Sequence, residues 1–346
     1  MPHAPSPLPE GLTHAVFTTR EALEAGASRS RLRRDDLVSV APGLWALRDR
    51  VVTERDIVGA LCRRDPEAFA AGLTAARIWG LPLPGVLADA VTEAPRQSRV
   101  VDGRTTYRPA RNSVDGRTHM ARGDSRPRES TLVRWSLLDA PVVRLVDRRD
   151  RAPGVRLTTR LRTFLDLGPQ ISLEALVAIG DHLVRRPRPR FEGRAEPYVT
   201  LEELHAAVAE YRGRGARQLR QAVALVRMSS DSAPETALRL AMVAAGLPEP
   251  LANAPATEED HSGRVLDLGE PDLHWPEWKV ALEHDGPTHL DRAQQSRDIA
   301  RGDRRMAAGW VELRTSAEDL LHGCRRAVDR VRRELMRRGW RPGQDR

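Results

Sequence analysis

The sequence predicts an α+β chain, and three stretches carry that reading. Residues 11–50 set a capped helix, a basic segment and two short apolar runs around Pro42-Gly43. Residues 51–190 mix apolar spacing of helical period with short strands between Arg/Gly/Asp-rich turns, the pattern of a mixed α/β domain. Residues 229–340 surround a strand–turn–strand unit with helices, and that unit gathers carboxylates. At 346 residues the chain is long enough for two or three domains, each with its own core.

Taken in order, Thr18-Thr19-Arg20-Glu21 reads as a helix start, with a threonine to cap the free amides. That helix runs to about Ala25 and meets the turn Gly26-Ala27-Ser28. A second helix is expected over Arg29–Arg34, carrying Arg29, Arg31, Arg33 and Arg34. Leu37–Val40 and Leu44–Leu47, joined by Pro42-Gly43, make a two-strand wing. Together these form a winged helix-turn-helix over 11–50, whose second helix suits the major groove of double-stranded DNA. Arg29, Ser30, Arg31 and Arg33 are the residues expected nearest the bases.

Glu54–Trp79 reads as two helices broken near Pro66, and Leu157–Leu167 leads into a further helix at Leu173–Arg185. His119, Asp166 and His182 are isolated polar residues whose expected role is structural. Arg185–Arg194, rich in Arg and Pro, reads as an exposed loop ahead of a linker and helix over 191–228. Thr200-Leu201-Glu202-Glu203 is a capping-box start.

Composition narrows the class. Apolar residues make up 40% and charged residues 30%, as in ordinary globular domains. Aromatics at 4% argue against a surface built to stack single-stranded bases. A net charge of +8 favours an anionic partner, of which nucleic acid is the commonest. All but one of the 56 basic residues are Arg, the exception being Lys279. Two cysteines give neither a disulfide framework nor a metal spacing, so a reducing cytoplasm is the expected location. No apolar run approaches membrane-spanning length, and Met1–Glu10 reads as a Pro-rich tail.

The chemistry concentrates at residues 266–290. A strand is expected over Leu266–His274, then a Trp-Pro turn, then a strand over Lys279–Asp285. Alternation puts Lys279, Ala281, Glu283 and Asp285 on one face, within reach of Asp272 across the hairpin. Carboxylates converging on an apolar sheet repel unless a cation lies between them, and oxygen ligands suit Mg²⁺ or Mn²⁺. Asp272 is the first choice of ligand, with Glu283 and Asp285 after it. His289 is placed to act as a general acid or base, and Lys279 has the parity to face the same site.

Pro271-Asp272, followed after eleven residues by Glu283-x-Asp285, resembles the core of the PD-(D/E)XK nucleases. It is most similar to their very-short-patch-repair-like branch. The likeness extends through Ser229–Leu320, about a quarter of the chain. It includes Ala233–Arg239 opening a helix, Ala245–Pro248 closing it, Asp285-Gly286 with His289, and Ala308–Arg314. The resemblance implies a restriction-endonuclease-like α/β domain over 229–340 and metal-dependent cleavage of DNA. It further implies a site role for Glu235 and a metal contact from the main-chain carbonyl of His284. Where most of that superfamily has a catalytic Lys, this chain has Asp285. Residues 11–48 and Thr74–Pro82 are similar to AbiEi-type antitoxins, which implies a repressor-like role and a partner toxin. The resulting expectation is a DNA endonuclease with its own DNA-binding domain, partnered by a toxin or a repair protein. The alternative is a DNA-binding regulator that retains a nuclease fold.

Overall fold

A computed structural model describes residues 7–85, 97–101, 104–108, 117–124, 133–145, 154–259, 262–285 and 292–343. The chain is mixed α and β, and it divides into two compact units, residues 1–170 and 171–346.

The first unit begins with β1 (Phe17–Thr18) and α1 (Thr19–Glu24). Thr18 caps the helix: its Oγ1 accepts from the Glu21 amide at 3.0 Å, and Glu21 accepts in return from the Thr18 amide at 2.7 Å. The helix expected over Arg29–Arg34 is a single 3-10 turn, Arg31–Arg33. The reason is local: Arg34 is already extended, and the chain doubles back so that the Arg31 guanidinium grips Asp36 through two bonds of 2.8 and 2.6 Å. The two strands expected around Pro42-Gly43 are β2 (Leu37–Ala41) and β3 (Leu44–Leu47), and β1 joins them in an antiparallel sheet of order β1-β3-β2. Phe17, Ala22, Leu32 and Leu37 form the small core beneath it.

α2 (Glu54–Arg64) ends ahead of Pro66 as expected, and β4 (Phe69–Ala70) intervenes before α3 (Gly72–Trp79). Glu54 of α2 and Arg77 of α3 pair at 2.7 Å with both side chains buried, and Thr74 also donates to Glu54. β5 (Gln97–Val101) and β6 (Arg104–Arg108) pair with each other. β7 (Thr118–Arg122), β8 (Val133–Leu137), β9 (Val142–Leu145) and β10 (Val155–Thr158) complete a sheet of order β8-β7-β4-β10-β9. α4 (Arg160–Leu167), capped by Thr159, closes the unit.

The second unit opens with α5 (Leu173–Val184). The Arg/Pro-rich stretch after it is exposed at Arg186, Arg188, Pro189 and Gly193, as expected, but is partly ordered by its own ion pairs. It contains α6 (Pro189–Glu192), and Glu192 is held by both guanidinium nitrogens of Arg185 and by Arg194. α7 (Leu201–Glu210) carries the capping box expected at Thr200, and α8 (Ala216–Leu225) follows. α9 (Ala233–Ala244) starts at the Ser232 cap and ends where Gly246 turns left-handed at φ +73°. α5 and α9 are tied inside the unit by Asp181 and Arg239, paired at 3.0 Å with both side chains almost fully buried.

Next come β11 (Leu251–Ala252), β12 (Thr257–Glu259) and β13 (Val265–Asp267). β14 (Leu273–Trp275) and β15 (Val280–His284) follow, separated by a 3-10 turn at Pro276–Trp278. α10 (Arg292–Ala307) leads to β16 (Val311–Thr315), and α11 (Leu321–Arg337) closes the unit. The four-stranded sheet has the order β11-β14-β15-β16, antiparallel except for the parallel pair β15 and β16. One face buries Leu273, Trp275, Val280 and Leu282 against α9 and α11. The other buries Ala281 with Ala256, Leu268 and Trp310. Val280 and Leu282 therefore lie under an apolar layer, as alternation predicts.

Candidate active site

β14 and β15 pair Leu273 with Leu282, so the next positions outward are Asp272 and Glu283. Alternation puts both on the Ala281 side of the sheet, away from Leu273 and Leu282. The amide of His284 donates to Asp272 Oδ2 at 2.7 Å, which fixes that carboxylate against the end of β15. Glu235, at the third residue of α9, is buried and approaches the same place. Its carboxylate accepts from Ser232 Oγ at 2.7 Å, the Asp231 amide at 2.8 Å and Asn253 Nδ2 at 2.6 Å.

The two glutamates act on Asp272. Asp272 is pushed up to about 7, first by burial and then by the negative charges of Glu283 and Glu235; the His284 amide opposes the rise. Burial also raises Glu235, while its hydrogen bonds from Ser232, Asp231 and Asn253 act against that shift. Either a proton or a cation relieves such a cluster.

The other expected residues are placed differently. Arg305 of α10, almost fully buried, donates from one nitrogen to Glu283 at 2.5 Å and to Glu312 at 2.7 Å. Asp285 is exposed and meets Arg314 at 3.3 Å. Lys279 does not join the carboxylates. It precedes β15 in a left-handed conformation, φ +51°, and its ammonium reaches Glu258 at 2.9 Å. It stands four residues from Glu283, about 13 Å along an extended chain. His284 turns its ring nitrogen Nδ1 to Thr315 Oγ1 at 3.2 Å, and burial holds the ring below the usual imidazole range. His289 lies outside the described residues. Among the described residues, no group of three or more His, Cys, Asp or Glu side chains is placed to hold a metal ion.

In the first unit, Arg29, Ser30 and Arg33 are exposed, whereas Arg31 is buried and bound to Asp36. Arg31→Ala leaves Asp36 without that partner, so it should cost about 1–3 kcal/mol in urea unfolding. His182 packs against the Tyr198 ring at 5.6 Å, and Asp166 pairs with Arg162 at 2.9 Å, as structural residues do.

Sequence reasoning missed three residues here. Asn253 binds Glu235 from a loop after β11, and no motif marks it. Arg305 sits in a run of arginines where nothing distinguishes it. His274 shares the parity of Asp272, a readable signal. It is fully buried beside Trp310, and burial plus the Arg305 charge hold it down to about 4, so it is neutral.

Among the described residues, no helix is long and apolar enough to cross a membrane. No family model matches the chain, and no solved structure matches it. The chain is similar to two uncharacterized Mycobacterium tuberculosis proteins, one in strain CDC 1551 / Oshkosh and one in strain H37Rv. Each is 30% identical over 192 residues, which is 55% of this chain and 65% of the relative. The chain thus spans less than two thirds of the length of the curated relatives it matches.

Proposed function

We propose that this chain is a metal-dependent DNA endonuclease. The supporting observation is the convergence of Glu235, Asp272 and Glu283, where burial first and the two neighbouring charges after it push the Asp272 carboxyl up to about 7. A buried carboxylate perturbed by specific neighbouring charges is a candidate for a catalytic base or a cation ligand. In this reading residues 229–340 form a restriction-endonuclease-like domain and residues 11–50 a winged helix-turn-helix that holds double-stranded DNA.

Asp272 and Glu283, with the His284 carbonyl, fit a hard cation in donor type. Asp285 fits less well, because it points to solvent and Arg314. When bound, Mg²⁺ or Mn²⁺ would lower the pKa of a coordinated water and neutralise charge on the phosphate. The chain's own residues have definite tasks. The His284 amide orients Asp272, and Arg305 fixes the rotamer of Glu283. Arg305 also supplies a positive charge at a site where Asp285 replaces the usual lysine. His289 is the proposed acid or base.

Purified protein should nick supercoiled plasmid in Mg²⁺ or Mn²⁺ and not in EDTA. Absence of cleavage across varied DNA substrates, together with tight binding of one duplex, would favour the second reading. That reading is a DNA-binding regulator, acting with a partner toxin in the cytoplasm, that retains a nuclease scaffold. It is favoured by the engagement of Glu283 and Asp285 with Arg305 and Arg314.

DNA binding by the first unit would rest on Arg29 and Arg33, since Arg31 is engaged inside. Replacing both by Ala should lower the salt slope of binding by about 0.9 for each phosphate that the protein no longer neutralises. A slope unchanged by the double substitution would remove this segment from the interface.

A further inference from the structure

We propose that Asn253 is a positioning residue that locks the Glu235 carboxylate beside Asp272. The inference rests on the endonuclease reading and adds a residue to it.

Asn253 follows β11 and adopts φ +44°, a left-handed conformation that asparagine tolerates better than most side chains. Its main-chain amide donates to the carbonyls of Asp272, at 3.1 Å, and Pro271, at 3.2 Å. Its side-chain nitrogen donates to the Ser229 carbonyl at 2.8 Å and to Glu235 Oε2 at 2.6 Å. Both of those partners are acceptors, so the amide nitrogen, with its two N–H groups, must face them. The residue is thereby held on both sides at once. Its backbone is bound to the strand that carries Asp272, and its side chain to the helix start that carries Glu235.

Helix capping accounts for part of the surroundings of Glu235. Ser232 and the Asp231 amide bind it as an N-terminal turn requires. Both belong to the same turn as Glu235, however, and neither sets its distance from Asp272. Asn253 does, because its two attachments bridge the separate segments. Loss of the side-chain amide would let Glu235 keep its cap while losing its register with Asp272. A displacement of about 1 Å at a catalytic group can cost on the order of a hundredfold in rate.

The test is a double-mutant cycle on Mg²⁺-dependent plasmid cleavage. Asn253→Gly keeps the left-handed backbone and both main-chain bonds but deletes the amide. It should lower kcat by about tenfold or more while KM for DNA stays within about twofold. Glu235→Gln should lower kcat as well, and adding Asn253→Gly to it should cost less than about twofold further, since the two act as one unit. Asn253→Asp serves as a second variant. It keeps the shape and the tolerance for positive φ but turns a carboxylate towards Glu235, and it should lose at least as much kcat. Thermal unfolding, and DNA binding in EDTA, should stay near parent values for at least one of the two. The proposal is overturned if Asn253→Gly and Asn253→Asp both cleave like the parent. It is overturned equally if Glu235→Gln has no effect, or if the Asn253→Gly loss is undiminished in the Glu235→Gln background. A parent protein without any cleavage overturns the endonuclease reading and this proposal together, an outcome distinct from an active parent with indifferent Asn253 variants.

Discussion

Asp272→Asn should reduce metal-dependent DNA cleavage by on the order of a hundred- to a thousandfold, the usual scale for removing a group that stabilises charge in a transition state. The substitution keeps the shape of the side chain, and the His284 amide can still donate to an amide oxygen in place of Oδ2. What disappears is the negative charge that would hold a divalent ion between β14 and β15. DNA binding measured in EDTA should be unchanged, because the exposed Arg29 and Arg33 need no metal. Cleavage at the parental rate by purified Asp272→Asn would place the activity at another site or in a contaminant.

A second large effect is expected in stability. The Asp272 carboxyl moves from an ordinary 3.8 to about 7 on folding. A raised carboxyl pKa means the native state prefers the protonated form, so its contribution is complete below about pH 4. That contribution is then lost as pH rises through 7, because the unfolded chain ionises freely while the native cluster resists. At about 1.4 kcal/mol per pH unit, the loss is on the order of 3–4 kcal/mol between pH 4 and 8. Glu235, shifted in the same direction, adds to the slope. Urea unfolding in EDTA, followed by tryptophan fluorescence, should show this decline. Asp272→Asn should flatten it and leave the variant more stable than the parent at pH 8. Mg²⁺ or Mn²⁺ added at pH 8 should restore part of the parent's stability, as any ligand selective for the native state does. Parallel pH profiles for parent and Asp272→Asn would show that the carboxylates do not repel one another in solution.

Much of this arrangement was legible in the chain itself. The caps at Thr18 and Thr200, the helix from Ala233 to its glycine stop, and the parity that sets Glu283 opposite Val280 and Leu282 depend on local rules. What was not legible depends on partners remote in sequence or on single backbone angles. Leu266–His274 reads as one strand, yet Asp267 Oδ1 accepts from the Gly269 amide at 2.8 Å and Gly269 turns to φ +80°, so the strand breaks. Lys279 has the parity of Glu283 only if the strand includes it, and its left-handed backbone excludes it. Arg31 resembles its basic neighbours until Asp36 folds back upon it. Arg305 becomes special only when α10 brings it to two glutamates at once. Periodicity describes which face a residue takes, and it is silent on which charge will meet it there.

The pairing of β15 with β16 carries a consequence for how the molecule assembles. β14 and β15 are neighbours across a short turn, so Asp272 and Glu283 can meet as soon as that hairpin closes. β16 lies parallel to β15 and is reached only after the whole of α10, so its pairing must first overcome the entropy of a long closure. Arg305 comes to Glu283 with that later step. On topology alone, closure of the hairpin is expected to bring Asp272 near Glu283 before Arg305 docks, while both carboxylates are still solvated and repel only weakly. Docking of α10 and β16 is then the step that takes the acids out of water, and Arg305 arrives with it, so the repulsion and its counter-charge are built together.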